Sequence, residues 1–288
     1  VKVSLVVPTV DRVRETERLF ESVAGQDFRE LEVILVDQSP GNRYGPLVGR
    51  YAQQFPILHL REPRHGVSRA RNVAFGYVQG DVVAFPDDDC VYPEGLLTRV
   101  AHFFDSHPEW DGLLTRVFDL DADENAFEHC GDENSQEVGY AKGYKVCASP
   151  GMFLRGGIAG NVAFNEHLGA GAGTPWGAGE ETDYLFRCLD AGYRFYYDAN
   201  VVVRHPNPLK VQSLGSRLRR GFGYGRGNGY FLATHVLPPE FLRAEREAPY
   251  RDAIAEMRSG DAQRACYFLL HGIGTTIGYR AGRKVCTH

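Results

Sequence analysis

Along the first third of the chain, apolar and polar positions fall into blocks that read by turns as strand and helix. Val1–Val7 is β-branched and almost wholly apolar, the pattern of a strand covered on both faces. Pro8-Thr9-Val10-Asp11 interrupts it, and Val13, Leu19, Phe20 and Val23 then recur at helical spacing as far as Gly25. Leu31–Val36 predicts a second buried strand ending at Asp37, and Ile57–Leu60 a short third one. From Ser68 to Gln79 the residues Ala70, Val73, Ala74 and Tyr77 share one helical face, with Gly80 as the stop. Val82–Phe85 predicts a fourth strand running into Asp87-Asp88-Asp89, and Pro93 opens a helix bearing Leu96, Leu97, Val100, Phe103 and Phe104. This alternation predicts an α/β fold with a Rossmann-like, mostly parallel sheet flanked by helices, whose ligands lie outside the carboxyl ends of the strands. Those ends carry Thr9 with Asp11, Asp37, and Asp87–Asp89.

The second half is less regular. Trp110–Leu120 and Phe195–Val203 are strand-like, and Glu180-Glu181-Thr182-Asp183 opens a helix carrying Tyr184, Leu185, Cys188 and Leu189. The stretch from Asp119 to Glu137 is rich in carboxylates and has no lysine or arginine, the composition of a solvated excursion. From Arg204 to Arg226 the sign reverses, with six Lys/Arg and no carboxylate. The 288 residues contain 33 glycines, above the usual share of about 7%. They concentrate in Gly151–Gly179 and in Gly221–Tyr230, where glycine holds every second position. The expectation is a loop region that approaches ligand, followed by a C-terminal extension, residues 207–288, of helices and a glycine-rich loop. Arg217, Arg219, Arg220 and Arg226 suit either a mobile lid over a diphosphate, a face for anionic lipid or a lipid-diphosphate acceptor, or a plain solvated helix leading into that loop. Gln263–Lys284, apolar with basic ends, suits an interfacial helix in peripheral contact with a membrane, and no stretch is long enough to span one.

The net charge of −5 excludes a generally cationic nucleic-acid binder, so no nucleic acid partner is expected. The six cysteines, Cys90, Cys130, Cys147, Cys188, Cys266 and Cys286, form no CxxC pair and suit free thiols in a reducing cytoplasm. The first turn lacks GxGxxG, which excludes an ordinary dinucleotide-binding domain. Asp87-Asp88-Asp89 carries the strongest chemical signal: adjacent carboxylates need a counter-ion, and alternate members suit a hard divalent cation bridged to phosphate oxygens. Alone the triplet reads equally as an acidic turn, and its place at a strand's carboxyl end favours the site.

VSLVVPTVDR (Val3–Arg12), VDQS (Val36–Ser39), ARN (Ala70–Asn72), FPDDD (Phe85–Asp89), GEETD (Gly179–Asp183) and His205 follow in an order that resembles the inverting family 2 glycosyltransferases of GT-A fold. The likeness covers residues 1–206, with a nucleotide-binding half at 1–106 and an acceptor-binding half at 107–206. It implies that Pro8, Thr9, Asp11 and Asp37 hold the base and ribose of a nucleotide, that Arg71 approaches the base or diphosphate, and that Asp88 or Asp87 lies near the ribose. Asp87, Asp89 and His205 would hold Mn²⁺ or Mg²⁺. The family's catalytic base is the second residue of a Glu-Asp pair at a helix start; here the pair is Glu180-Glu181, making Glu181 the expected base and Glu180 its alternative. Val10 departs from the pattern, since an aromatic that stacks on the base is common there. Trp176 and Asp183 are expected on the acceptor side, Trp176 as a sugar platform or a core residue.

The implied function is transfer of a sugar from a nucleoside-diphosphate sugar, a UDP-sugar before others, to a hydroxyl of a saccharide or lipid-linked acceptor in polysaccharide biosynthesis. Two alternatives stand beside it. One is a GT-A module that binds nucleotide sugar or carbohydrate without turnover; the other is a metal-dependent phosphatase of the haloacid dehalogenase type, whose DxD motif normally ends the first strand.

Overall fold

The computed structural model describes residues 1–127, 131–207, 210 and 212–285. Four strands, β1 (Val3–Thr9), β2 (Leu31–Asp37), β3 (Ile57–Arg61) and β4 (Val82–Ala84), alternate with helices α1 (Val13–Ala24), α2 (Gly45–Tyr51) and α3 (Val67–Phe75). All neighbouring pairs among the four are parallel, and Thr9 lies level with Asp37 at the carboxyl edge. After α4 (Leu96–Ser106) come β5 (Gly112–Asp119), β6 (Gln136–Val138), α5 (Tyr140–Val146), β7 (Met152–Arg155), α6 (Gly156–Ala159), α7 (Glu180–Asp190) and β8 (Phe195–His205). Among the described residues these complete one eight-stranded mixed sheet in the order β3-β2-β1-β4-β7-β5-β8-β6.

Alternate residues of the central strands feed two cores. Val6, Ile34, Val36, Val83 and Phe85 enter one, while Leu5, Val7, Val33, Leu35, Val82 and Ala84 enter the other. A strand covered by helices on both faces must be apolar at every position, which is why β1 and β2 read as unbroken hydrophobic runs. The helix expected over Ser68–Gln79 is shorter and ends at Phe75, with Gly76 as its cap. Gly80 has a different task from the stop assigned to it: a Cβ there would lie 2.6 Å from the Ser4 backbone nitrogen, so it admits the start of β1.

The glycine-rich loop is not found. Gly221–Tyr230 lies inside helix α8 (Leu214–Thr234), which packs against α10 (Ala262–Val285), on which α9 (Pro239–Ser259) also packs. A Cβ on Gly225 would fall 2.0 Å from the His271 carbonyl oxygen, and one on Gly229 2.0 Å from that of Thr275. From the other side, Gly274 and Gly278 face the Phe222 and Arg226 carbonyls at 2.4 and 2.0 Å. Two helix backbones touch along this line, so glycine serves close approach there and no lid forms. On another side of α8, Gly227 meets the Ala178 carbonyl, at 2.2 Å for its would-be Cβ, and so fixes the loop that leads into α7.

Leu269, Ile273 and Ile277 on α10 are exposed, and no described helix is long and apolar enough to cross a membrane. Cys90, Cys147, Cys188 and Cys266 are free thiols; Cys130 and Cys286 lie outside the described residues.

Replacing Gly225 by leucine should lower unfolding stability by about 3 kcal/mol or more, because backbone on the facing helix cannot yield. Gly223 has open space around its Cβ position, and Gly223→Ala should stabilise the helix by about 0.5–1 kcal/mol. Denaturant unfolding of the two variants checks both signs; equal effects would contradict the packing.

Candidate active site

The parallel strands bring the three expected carboxyl ends together. Beyond β4 the chain leaves the sheet through Phe85-Pro86 and places Asp87–Asp89 beside Thr9 of β1. Thr9 Oγ1 donates to Asp88 Oδ2 at 2.7 Å. Its own acceptor lone pair therefore faces the Tyr44 hydroxyl 2.7 Å away, which in turn accepts from the Arg12 backbone N–H at 2.9 Å. The side chain of Arg12 closes the circuit: Nη1 lies 2.9 Å from Asp88 Oδ1, and Nη2 donates to Asp89 Oδ2. Burial pushes the Asp88 carboxyl up to about 7 against the pull of Arg12 and Thr9. Burial also acts to raise Asp89, but the hydrogen bond and charge of His205, with Arg12, outweigh it and hold that carboxyl well below the usual range.

Asp87, Asp89 and His205 each offer one ligand atom within 4.8 Å of the others. His205 Nε2 stands 3.1 Å from Asp89 Oδ1 and 3.6 Å from Asp87 Oδ2. Its Nδ1 is 2.7 Å from the Pro206 carbonyl, and a carbonyl can only accept, so Nδ1 carries a hydrogen and the neutral ring turns its lone pair on Nε2 toward the carboxylates. Burial opposes a charge on this ring, yet its hydrogen bonds to Asp87 and Asp89 carry its pKa up to about 9. Asp89 Oδ1 is buried and, apart from that approach of His205, has no hydrogen-bond partner. Two carboxylate oxygens and one imidazole nitrogen on a buried edge fit a divalent cation of the Mn²⁺ or Mg²⁺ type.

Arg71, placed by α3, is fully buried. Nη2 reaches Asp87 Oδ1 at 3.2 Å and Nη1 stands 3.6 Å from Glu180 Oε1, so one guanidinium links the carboxylate triplet to the start of α7. The ring of Phe164 lies under it, 5.1 Å from Cζ. Glu180 is buried and Glu181 half-buried. Burial raises both carboxyls; Arg71 opposes this at Glu180, whereas the charge of Glu180 adds to it at Glu181, which rises well above the ordinary value. The base of α7 thus holds one tethered carboxylate and one whose proton affinity is enhanced.

The remaining expected residues divide. Asp37 is level with Thr9 but its oxygens are engaged: the Ser39 N–H donates at 2.8 Å, Arg61 at 2.7 Å, and His59 Nε2 lies at 3.1 Å. Asp11 adopts a left-handed φ of 55°, its N–H donates to Ser39 Oγ at 2.8 Å, and its carboxylate is 3.3 Å from Arg43. Pro8 sits within β1, level with Val36. Trp176 stacks on Tyr230 with centroids 4.6 Å apart, and remains half-buried. Asp183 is fully buried and committed to Arg187 at 2.7 Å and His235 at 2.9 Å, which ties α7 to the end of α8. Its carboxylate is taken up by this tie.

Sequence reading gave no role to Arg12, Tyr44, His59, Arg61 or Tyr224. Tyr224 on α8 lies close enough to the Glu180-Glu181 pair to feel its charge: burial raises the phenol, Arg220 opposes this, and both glutamates add to it. None of these residues has a local signature, since each meets its partner across the fold. For Arg12 a hint exists in its place three residues after a strand's carboxyl end.

Residues 4–139 match the model of Glycosyl transferase family 2. Over 120 residues the chain is 31% identical to the poly(ribitol-phosphate) β-N-acetylglucosaminyltransferase TarS of Staphylococcus aureus, a stretch covering 40% of this chain and 21% of TarS, about a fifth of that relative's length. The glycosyltransferase AglE of Haloferax volcanii is 21% identical over 231 residues, covering 78% of this chain and 72% of AglE. Among solved structures, residues 1–349 of S. aureus TarS superpose with a TM-score of 0.61 at 18% identity, covering 98% of this chain and 92% of that one. The mannosyltransferase PcManGT from Pyrobaculum calidifontis, in complex with GDP-Man and Mn²⁺, gives 0.64 at 17% identity, covering 100% and 81%. Sheet, carboxylate edge and sequence match agree: residues 4–139 match family 2 glycosyltransferases, and the chain has the fold of GT-A glycosyltransferase structures.

Proposed function

We propose that the protein transfers a sugar, with inversion, from a nucleoside-diphosphate sugar to a hydroxyl of a saccharide or lipid-linked acceptor. The observation that carries the reading is the spatial sequence Asp89/His205, Asp87, Arg71, Glu180, in which a cation-binding edge and a helix-start carboxylate pair are joined through one buried guanidinium. Similar folds bind such donors: TarS has been crystallised with UDP-GlcNAc and with UDP, and PcManGT with GDP-Man. Thr9, Asp11 and the Asp37–Arg61 pair at the adjacent strand ends would receive the nucleoside, and Asp88, kept by Thr9 and Arg12, the ribose.

Asp87, Asp89 and His205 would hold Mn²⁺ or Mg²⁺, which supplies Lewis-acid stabilisation of the negative charge that grows on the departing diphosphate. The chain's own residues do the rest. Arg12 and Arg71 keep the three carboxylates apart and oriented, and both offer guanidinium hydrogens toward phosphate oxygens. Glu181 is the general base, since Glu180 is tethered to Arg71 while Glu181 is more open and holds a proton more strongly. For inversion it takes the acceptor hydroxyl proton on the side opposite the leaving diphosphate. A peripheral membrane contact through Leu269, Ile273 and Ile277, with the basic end of α10, would suit a lipid-linked acceptor.

Glu181→Gln should lower kcat by about 10²–10⁴-fold, with donor binding and the far-ultraviolet dichroism unchanged. Glu180→Gln should retain more activity than Glu181→Gln; the reverse order in a transfer assay would exchange their roles. Asp89→Ala should abolish metal-stimulated transfer, and undiminished turnover in excess EDTA would remove the metal from the reaction.

Metal affinity carries its own sign. His205 must shed its Nε2 proton to bind a cation, and its pKa is lifted to about 9. Mn²⁺ affinity should therefore rise by up to about tenfold per pH unit from about pH 7 toward about pH 9. Titration calorimetry of the wild type and His205→Gln checks this, and the variant should lose the rise.

A further inference from the structure

A cavity of ≈ 400 Å³ lies between the first turns of α8 and α10, lined among others by Lys210, Arg217, Arg264, Tyr267, Glu124 and Asp261. Asn207, two residues beyond the candidate metal ligand His205, also borders it, which places the cavity beside the active site. Its charges are unevenly matched. Lys210 is neutralised by Glu124 and by Asp119 at 3.7 Å. Asp261 is occupied in capping α10, its Oδ1 accepting from the Arg264 backbone N–H at 2.9 Å, while Arg264 Nε is 3.1 Å from Glu256. Arg217 differs: among the described residues Nη2 meets only the neutral Gln263, at 3.2 Å, and no carboxylate pairs with its guanidinium. The amino ends of two long helices converge on the same space, and both favour an anion.

We propose that this cavity binds a phosphoryl group carried by the acceptor. The inference rests on the transferase reading above for the word acceptor, and on the cavity alone for the phosphoryl group. A guanidinium fork matches tetrahedral phosphate oxygens, and Arg217 brings to the cavity a charge whose side-chain partner is the neutral Gln263. Position supplies the link to catalysis. Arg217 and Tyr224 lie on one face of α8, seven residues apart, which is about 10 Å along the axis. One turn beyond Tyr224, Gly227 meets the Ala178 carbonyl at the entry to α7. A phosphate seated at Arg217 therefore lies along the helix that packs on the start of α7, and the proposal sets the rest of the acceptor between that phosphate and the Glu180-Glu181 pair.

The test uses the full chain without metal, with inorganic phosphate and sn-glycerol 3-phosphate as soluble probes in titration calorimetry. Phosphatidylcholine vesicles with and without phosphatidic acid serve as the membrane-borne probe. Arg217→Gln should weaken phosphate binding roughly tenfold, Arg217→Lys should restore most of it, and Arg12→Gln, on the donor side, should leave it in place. Arg217-dependent binding of glycerol 3-phosphate supports a water-soluble acceptor phosphate, and Arg217-dependent capture by phosphatidic acid vesicles supports a lipid-borne one. Equal phosphate affinity in wild type and Arg217→Gln, or a loss seen only in Arg12→Gln, would overturn the assignment. Binding of UDP or GDP with Mn²⁺ is measured on the same proteins. If wild type binds phosphate through Arg217 but neither nucleotide, the donor reading fails and the phosphate cavity stands.

Discussion

Three consecutive carboxylates, held where water has little access, repel one another, and the front of the molecule is organised around that repulsion. Asp88 and Asp89 are both buried, so their charges require cations supplied by the fold. Arg12 takes one oxygen of each, His205 takes Asp89 from the far side of the sheet, and Arg71 takes Asp87 from beneath. Each cation comes from a different element: the loop after β1, the end of β8, and helix α3. The triplet thereby fixes the relative positions of the first strand, the last strand and a buried helix. The carboxylates are already oriented and the ring's Nδ1 is pinned to Pro206, which would lower the reorganisation that binding a divalent cation demands.

A second consequence runs through Arg71. Its guanidinium is wholly buried with two nitrogens lacking hydrogen-bond partners, a cost that a merely structural residue would seldom carry. Placed between Asp87 and Glu180, it offsets charge on both sides and leaves Glu181 as the carboxylate of the pair free to take up a proton. The backbone contact between α8 and the Ala178-Gly179 segment holds this arrangement from behind: Gly179 sits at a φ of 86° against Phe231, and a side chain there would collide with that ring. The glycine excess thus underlies rigidity near the base, where flexibility had been the simpler reading of composition.

The parallel half of the sheet was legible because its strands are buried on both faces and so are written in uninterrupted valine, leucine and isoleucine. Its ligand edge was legible for the same reason, since each run stops at a polar residue that the topology must place on one side. Asp87, Asp89 and His205 meet as the motif order implied. The sequence did not disclose what neutralises them, because Arg12 and Asp89 lie 77 positions apart and no local pattern encodes such a pairing. Nor did it disclose the helical state of Gly221–Tyr230. Glycine at every second position has low intrinsic helix propensity, and only the facing stripe of Gly274, Gly278 and Gly282, met across 46 to 52 positions in pairs such as Gly225 with His271 and Arg226 with Gly278, makes a close-packed helix the better state. Asp183 shows the converse error: an acidic residue in a helix's first turn near a site reads as functional, yet Arg187 and His235 bury it.

The phosphatase alternative turns on the same geometry. A carboxylate that attacks phosphorus needs a free oxygen at the end of the first strand, with a neighbouring acid to protonate the leaving group. Here the end of β1 carries Thr9, whose hydroxyl is committed to Asp88, and Asp11, whose carboxylate is turned outward to Arg43. The carboxylate triplet that follows β4 is held by Arg12, Arg71 and His205 in an arrangement that suits cation ligation, and Asp37 at the end of β2 is engaged by Ser39, Arg61 and His59. The proton acceptor proposed above, Glu181, stands on another element, next to the Glu180 that Arg71 joins to the edge. A site divided in this way, with fixed carboxylates for a cation at one end and a separate proton acceptor at the other, is what displacement at a sugar carbon by an external hydroxyl requires.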